Sequence, residues 1–284
     1  MKKVLVTGAT GFIGNYVIRE LLTRDVQVIA TSVSASKASS QDWFDKVTYL
    51  SFDLKNFDSH TNYFTFFQKP DAVIHLAWEG LPNYKETFHI EENLPRHYLF
   101  LKNLVDNGLK DITITGTCFE YGLQEGCLSE EMPAHPSNAY AIAKNRLREQ
   151  LEQLKVDRQF GLKWVRLFYM YGKGQSPKSL LSQLQDAIEK GLPSFNMSPG
   201  DQLRDYLPIE TVARYIVSIA LQEKGGIINC CSGKPVRIRD FAEEYIKTKN
   251  AHISLNLGYF PYSDIEPRNF WGDTTKLKTI LIHE

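Results

Sequence analysis

Neither sign of charge dominates this chain: 33 Lys and Arg residues balance 33 Asp and Glu, and no basic run breaks the balance locally. Without a positive field there is no electrostatic reason to hold nucleic acid or an anionic membrane, so neither is expected as a partner. Long apolar runs are missing as well; no stretch approaches the ~20 residues that span a bilayer. Cysteine is scarce. The four present, Cys118, Cys127, Cys230 and Cys231, show no CxxC spacing, and no charged-then-apolar leader precedes the first strand, so a reducing, cytoplasmic setting is expected. No metal site, internal repeat or low-complexity tract is expected either. The Ser/Ala-rich stretch 32–40 is short and follows a strand, which suits a cofactor-facing loop better than a linker.

What remains is an ordinary globular composition: 284 residues, 43% hydrophobic, enough for one large domain or two intimately packed ones. Apolar strands at 26–31, 47–52, 72–76, 112–115 and 163–168 alternate with helical segments at 93–107 and 138–154. That alternation predicts a doubly wound α/β parallel sheet of the Rossmann kind, with ligands at the strand C-terminal ends. After residue 172 the pattern loosens: helices at 178–190 and 210–221, a loop at 198–204, a short strand at 227–230 and a segment at 236–249. We expect a dinucleotide-binding domain at 1–172 with a return segment near 206–232, and a smaller α/β substrate lobe from 173–205 and 233–284. The aromatic and Pro-rich segment 258–273 reads either as a loop over a pocket or as a cover for the core.

Two motifs carry the chemistry. The buried-strand run Val4-Leu5-Val6 leads through Thr7 into Gly8-Ala9-Thr10-Gly11-Phe12-Ile13-Gly14, followed by helical apolar spacing to Leu22. In this GxxGxxG turn Gly8 permits the tight bend, Gly11 lets backbone approach a pyrophosphate, and Gly14 lets the helix pack close to the sheet. The helix N-terminus then aims free amides at phosphate. Downstream, Tyr140 and Lys144 stand four apart on a helical segment, so both project from one face. A lysine there can favour the phenolate, and the phenol can exchange a proton with a carbonyl or alcohol. YxxxK alone is a weak motif; its pairing with the glycine turn gives it weight.

With these residues the chain resembles the extended short-chain dehydrogenase/reductase family, whose members act largely on nucleotide sugars. The resemblance spans nearly the whole chain. It rests on Thr7 to Gly14, Asp53-Leu54, His75-Leu76-Ala77, Thr115-Gly116-Thr117-Cys118-Phe119-Glu120-Tyr121-Gly122, and Tyr140 to Lys144. It implies cofactor contacts from Gly8, Thr10, Gly11, Phe12, Ile13, Gly14, Leu54, Leu76, Ala77 and Trp78, with Asp53 on the adenine amino group. It further implies that Thr117 joins Tyr140 at the reacting oxygen. Asp53 and Thr117 have plainer readings, as a strand-end turn acid and a core residue. In the resembling segment 200–206, Arg204 would bind the substrate diphosphate, with Arg268 a weaker second candidate; an Arg-Asp neighbour pair is also often a surface ion pair. Where many relatives carry Asn before Tyr171-Gly172 this chain has Tyr169, which puts that substrate contact in doubt. Family resemblance also implies a homodimer joined through 93–107 and 138–154, with Leu147 and Leu151 as an outward apolar seam.

The residues after Thr117 bear on the reaction. The family's 4,6-dehydratases place an acid and base pair there, whereas this chain has Cys118 and Phe119. On a continuing strand Cys118 would point away from the face that Phe119 occupies, and it reads as a buried small hydrophobe. Hydride chemistry at one carbinol is left. The second strand ends in Thr31-Ser32-Val33-Ser34 with Lys37 behind, and no acid stands there to repel a 2'-phosphate. Ser32, Ser34 and Lys37 therefore point to NADP(H), with NAD(H) the other candidate, unless the loop never touches cofactor. Segments around Trp78, 80–84, 116–122 and 270–273 resemble bacterial NDP-4-keto-6-deoxysugar reductases, in which Trp78 and the following loop would flank the sugar; Trp78 could equally be a core residue. The expectation is NADPH-dependent reduction of a nucleotide-linked 4-keto-6-deoxysugar by Tyr140, Thr117 and Lys144, with Trp78, Cys118, Phe119 and Tyr169 around the substrate. A UDP-hexose 4-epimerase with tightly held NAD and a non-catalytic dinucleotide sensor are the alternatives.

Overall fold

Val4, Leu5 and Val6 are wholly buried, as a strand covered by helices on both faces requires. The computed structural model describes residues 1–264 and 266–282. The strands are β1 (Lys2–Thr7), β2 (Val26–Thr31), β3 (Thr48–Tyr49), β4 (Ala72–His75), β5 (Asp111–Thr117), β6 (Gly126–Leu128) and β7 (Gly161–Leu167), then β8 (Tyr169–Tyr171), β9 (Ser194–Asn196), β10 (Leu203–Pro208), β11 (Gly226–Cys230), β12 (Pro235–Arg237), β13 (Ser254–Asn256) and β14 (Phe270–Gly272). The helices are α1 (Phe12–Leu21), α2 (Ala35–Ser39), α3 (Tyr63–Phe66), α4 (Leu94–Asp106), α5 (Ala139–Asp157), α6 (Leu180–Glu189), α7 (Ile209–Leu221), α8 (Ile238–Thr248) and α9 (Thr275–Leu281).

Seven strands form one sheet in the order β11-β7-β5-β4-β1-β2-β3, every pair parallel. The order reverses between β1 and β4, and such a switch point opens a crevice at the strand C-terminal ends. The expected doubly wound α/β fold is therefore the fold found. Helices α1, α7 and α9 pack one face through Val17, Ile18, Leu21, Ile216, Val217 and Leu277. Helices α4 and α5 pack the other through Phe100, Leu101, Leu104, Leu147 and Leu151. Smaller sheets, β12-β10-β8, β13-β9 and β14-β6, lie beyond the strand ends, with α6 and α8 packed on a cluster of Leu181, Leu184, Met197 and Ala242. Among the described residues no helix is long and apolar enough to cross a membrane.

Several local expectations shift. The strand expected at 47–52 shortens to β3, and 112–115 lengthens to β5, whose Thr117 still pairs in register with Leu167. The helix expected from 93 begins as a wide turn over His89–Asn93 before α4 proper. Leu147 and Leu151 are 0% exposed, so the outward apolar seam is not there. The reason is helical phase: positions 147 and 151 lie seven and eleven after Tyr140, on the same stripe that faces the sheet.

The glycine turn is set by contact with backbone. Gly8 has φ +68, and a Cβ on it would lie 2.9 Å from the Ala77 nitrogen; a Cβ on Gly14 would lie 2.2 Å from the Gly8 carbonyl oxygen. Alanine favours a helix over glycine by about 1 kcal/mol, but overlap with fixed backbone outweighs that gain. Gly14→Ala should therefore destabilise the fold by roughly 1–3 kcal/mol in urea unfolding, and an unchanged midpoint would contradict this packing.

Candidate active site

The C-terminal ends of β1, β2, β4 and β5 converge on two adjoining cavities that share Gly8, Gly11, Leu76 and Trp78. The first, about 260 Å³, lies over the end of β2, lined by Thr10, Thr31, Ser32, Val33, Ser34, Phe52, Leu54, Ala77, Glu79 and Phe100. The second, about 430 Å³, is lined by Phe12, Ile13, Gly14, Leu81, Tyr84, Thr117, Cys118, Phe119, Tyr140, Phe168, Tyr169 and Met170, among others. The glycine turn is the floor common to both. Its missing side chains leave backbone at the surface there, and the Thr31 hydroxyl is buried at the edge of the first cavity with no partner among the described residues. Both observations fit a bound dinucleotide.

Helix α5 delivers the catalytic candidates. Asn138 caps it, its side-chain oxygen accepting from the Ala141 amide at 2.9 Å, as preferred N-caps do. Tyr140 stands one turn before Lys144, and both are buried. The Thr117 hydroxyl lies close enough to the Tyr140 phenol to favour its ionised form slightly. Burial, with the nearby Tyr84, Glu120 and Cys118 groups adding to it, pushes Tyr140 well above its ordinary pKa. Burial pulls Lys144 down to about 7 against the opposing pull of Glu120 and Glu79. The expected effect of the lysine on the phenol is thus absent from this arrangement. The ammonium instead rests 4.4 Å from the centre of the Trp78 ring, with Trp164 at 5.8 Å, contacts that partly offset its lost hydration. Tyr140 is accordingly held as the neutral phenol.

Behind this pair lies Glu120, fully buried, which accepts from the Thr117 amide at 2.8 Å, the Trp164 indole at 2.9 Å and Arg166 Nε at 2.8 Å. It closes a capping box with Thr117. That T-x-x-E spacing was a legible signal; sequence reasoning quoted the residue without giving it this role. Leu81 and Tyr84, in the loop expected to flank the sugar, line the second cavity, whereas Phe168 and Met170 were not anticipated there. Tyr84 presents its carbonyl to the Tyr140 amide at 3.0 Å, a contact between distant segments that no local pattern announces.

Other candidates fall differently. The chain leaves β5 as a tight turn, Cys118–Tyr121, not as a continuing strand, so Cys118 and Phe119 both line the second cavity. Burial raises the Cys118 thiol well above its ordinary pKa, which leaves it unsuited as a base. Asp53 lines neither cavity; it caps a short turn, accepting from the Lys55 amide at 2.9 Å. Ser34 caps α2, while Lys37 is exposed in a neighbouring groove with Thr10, Arg19 and Lys173. Arg204 is buried and committed: Nε and one terminal nitrogen pair with Glu266 at 3.1 and 2.8 Å, and the other terminal nitrogen donates to the Leu203 and Arg268 carbonyls. In this arrangement it has little left to offer a diphosphate. Arg268 is exposed, stacked 3.6 Å over Tyr262, and lines neither cavity. Tyr169 lies in the second cavity wall.

Residues 4–231 match the model of a family described as the NAD dependent epimerase/dehydratase family. The chain is similar to dTDP-6-deoxy-L-talose 4-dehydrogenase (NAD(+)) of Aggregatibacter actinomycetemcomitans, 30% identical over 275 residues that cover 95% of this chain and 98% of that protein. It is also similar to dTDP-4-dehydro-6-deoxyglucose reductase of Escherichia coli, 24% identical over 271 residues, covering 89% and 84%. Among solved structures, UDP-glucuronic acid 4-epimerase from Bacillus cereus, in complex with UDP-glucuronic acid and NAD, superposes with a TM-score of 0.85 at 22% identity, covering 99% and 93%. That last likeness is one of fold.

Burying Lys144 has a consequence for stability. The folded state lowers its pKa from 10.5 to about 7, so the unfolded chain binds the extra proton between those values. The penalty is full below pH 7 and fades as pH rises toward 10.5. Lys144→Met should raise the melting temperature at pH 7 by roughly several degrees, with the gain shrinking at higher pH. A lower melting temperature at pH 7 would contradict the buried, unpaired ammonium.

Proposed function

The chain belongs to the NAD dependent epimerase/dehydratase family, and from that premise we propose that it reduces the C4 keto group of a dTDP-linked 4-keto-6-deoxysugar with NADPH. One observation carries the choice of hydride chemistry at one carbon over dehydration. Among the described residues the second cavity offers the Tyr140 phenol and the Thr117 hydroxyl but no carboxylate. Eliminating water from a sugar needs an acid and a base at neighbouring carbons, whereas reducing a ketone needs one proton at one oxygen.

The bound nicotinamide supplies the hydride. Tyr140, held neutral by burial, gives its proton to the C4 oxygen as charge develops there, and Thr117 hydrogen-bonds the same oxygen. Lys144, one helical turn beyond Tyr140, supplies a donor for ribose hydroxyls. Leu81, Cys118, Phe119, Phe168 and Met170 make much of the cavity wall apolar, which suits a methyl group at C5 better than a hydroxymethyl. The relatives named for 4-dehydrogenation of dTDP-6-deoxy-L-talose and reduction of dTDP-4-dehydro-6-deoxyglucose act at the same carbon of similar sugars. The preference for NADPH rests on the acid-free end of β2 and on Lys37 beside Thr10; the first of those relatives is named for NAD(+).

The second reading, a 4-epimerase of UDP-sugars, draws on the likeness of fold to UDP-glucuronic acid 4-epimerase. The two separate in one assay, with dTDP-4-keto-6-deoxyglucose and either reduced coenzyme. Stoichiometric loss of NADPH, faster than of NADH, is expected. No loss, with NAD retained by the purified protein and interconversion of UDP-hexoses, would replace the reductase by the epimerase. Tyr140→Phe should lower kcat by about 10²–10⁴-fold while the Kd for NADPH stays within about threefold; equal turnover would remove Tyr140 from its role.

A further inference from the structure

His75 at the end of β4 and His97 on α4 are fully buried, and the reaction above uses neither. Their hydrogen bonds admit one direction. Thr7 Oγ1 accepts from the Leu76 and Ala77 amides at 3.2 and 3.3 Å, which leaves its own hydrogen for His75 Nδ1 at 2.9 Å. His75 Nε2 therefore carries the ring proton and donates to His97 Nδ1 at 2.7 Å. His97 Nε2 in turn donates to Glu79 Oε2 at 3.1 Å. The chain runs from the strand that enters the glycine turn to a carboxylate lining the first cavity. Burial keeps both imidazoles neutral. Burial opposes the charge of Glu79 most strongly of any single influence, but the His97 hydrogen bond with the smaller contributions of the backbone and Arg96 together outweigh it and hold that carboxyl below its ordinary pKa.

Trp78 is gripped by the same groups. Its ring stacks on His97 at 4.6 Å and 22°, and its indole nitrogen donates to His89 Nδ1 at 3.1 Å. His89 Nε2 is left to donate to the Asn83 carbonyl at 3.1 Å. The Lys144 ammonium rests on this indole, and among the described residues it pairs with no carboxylate. Whatever fixes the indole fixes the lysine.

We propose that Glu79 and His97 are a positioning pair, holding the Trp78 indole, and through it Lys144, from inside the dinucleotide cleft. The kinetic part rests on the reductase reading; the hydrogen-bond part does not. The test compares wild type, Glu79→Ala and Glu79→Gln. The Glu79 side chain is a third exposed, so neither change threatens the core, and the glutamine amide oxygen can still accept from His97. Nitrogen-15 spectra of the imidazoles should show His75 and His97 as neutral Nε2–H tautomers in wild type and Glu79→Gln, with the His97 signals displaced in Glu79→Ala. In Glu79→Ala, kcat for the 4-keto sugar should fall about tenfold with KM changed less than about threefold, and Glu79→Gln should stay within about threefold of wild type. A Nδ1–H tautomer at His97, an unchanged kcat in Glu79→Ala, or a loss that glutamine fails to repair would overturn the proposal. If wild type itself reduces no keto sugar, the reductase reading fails, and the wild-type tautomers alone decide this one.

Discussion

The molecule depends on one stripe of helix α5, in which Tyr140, Lys144, Leu147, Leu151 and Leu154 turn together toward the sheet. The apolar members dock the helix and the polar members ride in with it, so the packing that stabilises the helix also takes the phenol and the ammonium out of water. Removing an ammonium from water is costly unless something replaces its hydration. Here the replacement is two indoles, Trp78 and Trp164, themselves held by buried acceptors, His89 for one and Glu120 for the other. Glu120 also fixes the Thr117 amide and pairs with Arg166 at 2.8 Å, both partners almost wholly buried. A buried carboxylate that satisfies three donors at once leaves little freedom for the groups it holds.

Much of this was readable from local pattern. The glycine turn, the strands ending at Thr7, Thr31 and His75, and the Tyr140-Lys144 spacing are short-range features, each dictated by backbone geometry within a few residues. What the pattern missed was direction and partnership. Leu147 and Leu151 were placed on the wrong side because their helical phase relative to Tyr140 was not followed. Cys118 was misdirected because a capping box, Thr117 with Glu120, ends the strand one residue before it. Arg204 has the chemistry to bind phosphate, yet Glu266, 62 residues away, takes its donors. The chain from Thr7 to Glu79 joins residues 68 and 22 positions apart, and no spacing rule predicts it.

These features bear on the chemistry. Burial and the buried Glu120 carboxylate keep the Tyr140 phenol protonated, and the second cavity, lined without a carboxylate among the described residues, holds no acid and base pair for eliminating water. Epimerases and reductases are both among the relatives of this chain, and the fold alone does not choose between them; the absence of a carboxylate from the second cavity bears on dehydration, and the fate of the hydride separates the other two.

The most direct measurement follows the hydride. The protein would be incubated with dTDP-4-keto-6-deoxyglucose and reduced coenzyme carrying deuterium on the transferable position of the nicotinamide, and the sugar product examined by mass spectrometry and proton NMR. The account predicts one deuterium per product molecule, at C4, with an equivalent of coenzyme oxidised. A product free of deuterium, or a sugar inverted at C4 with no net oxidation of coenzyme, would contradict it.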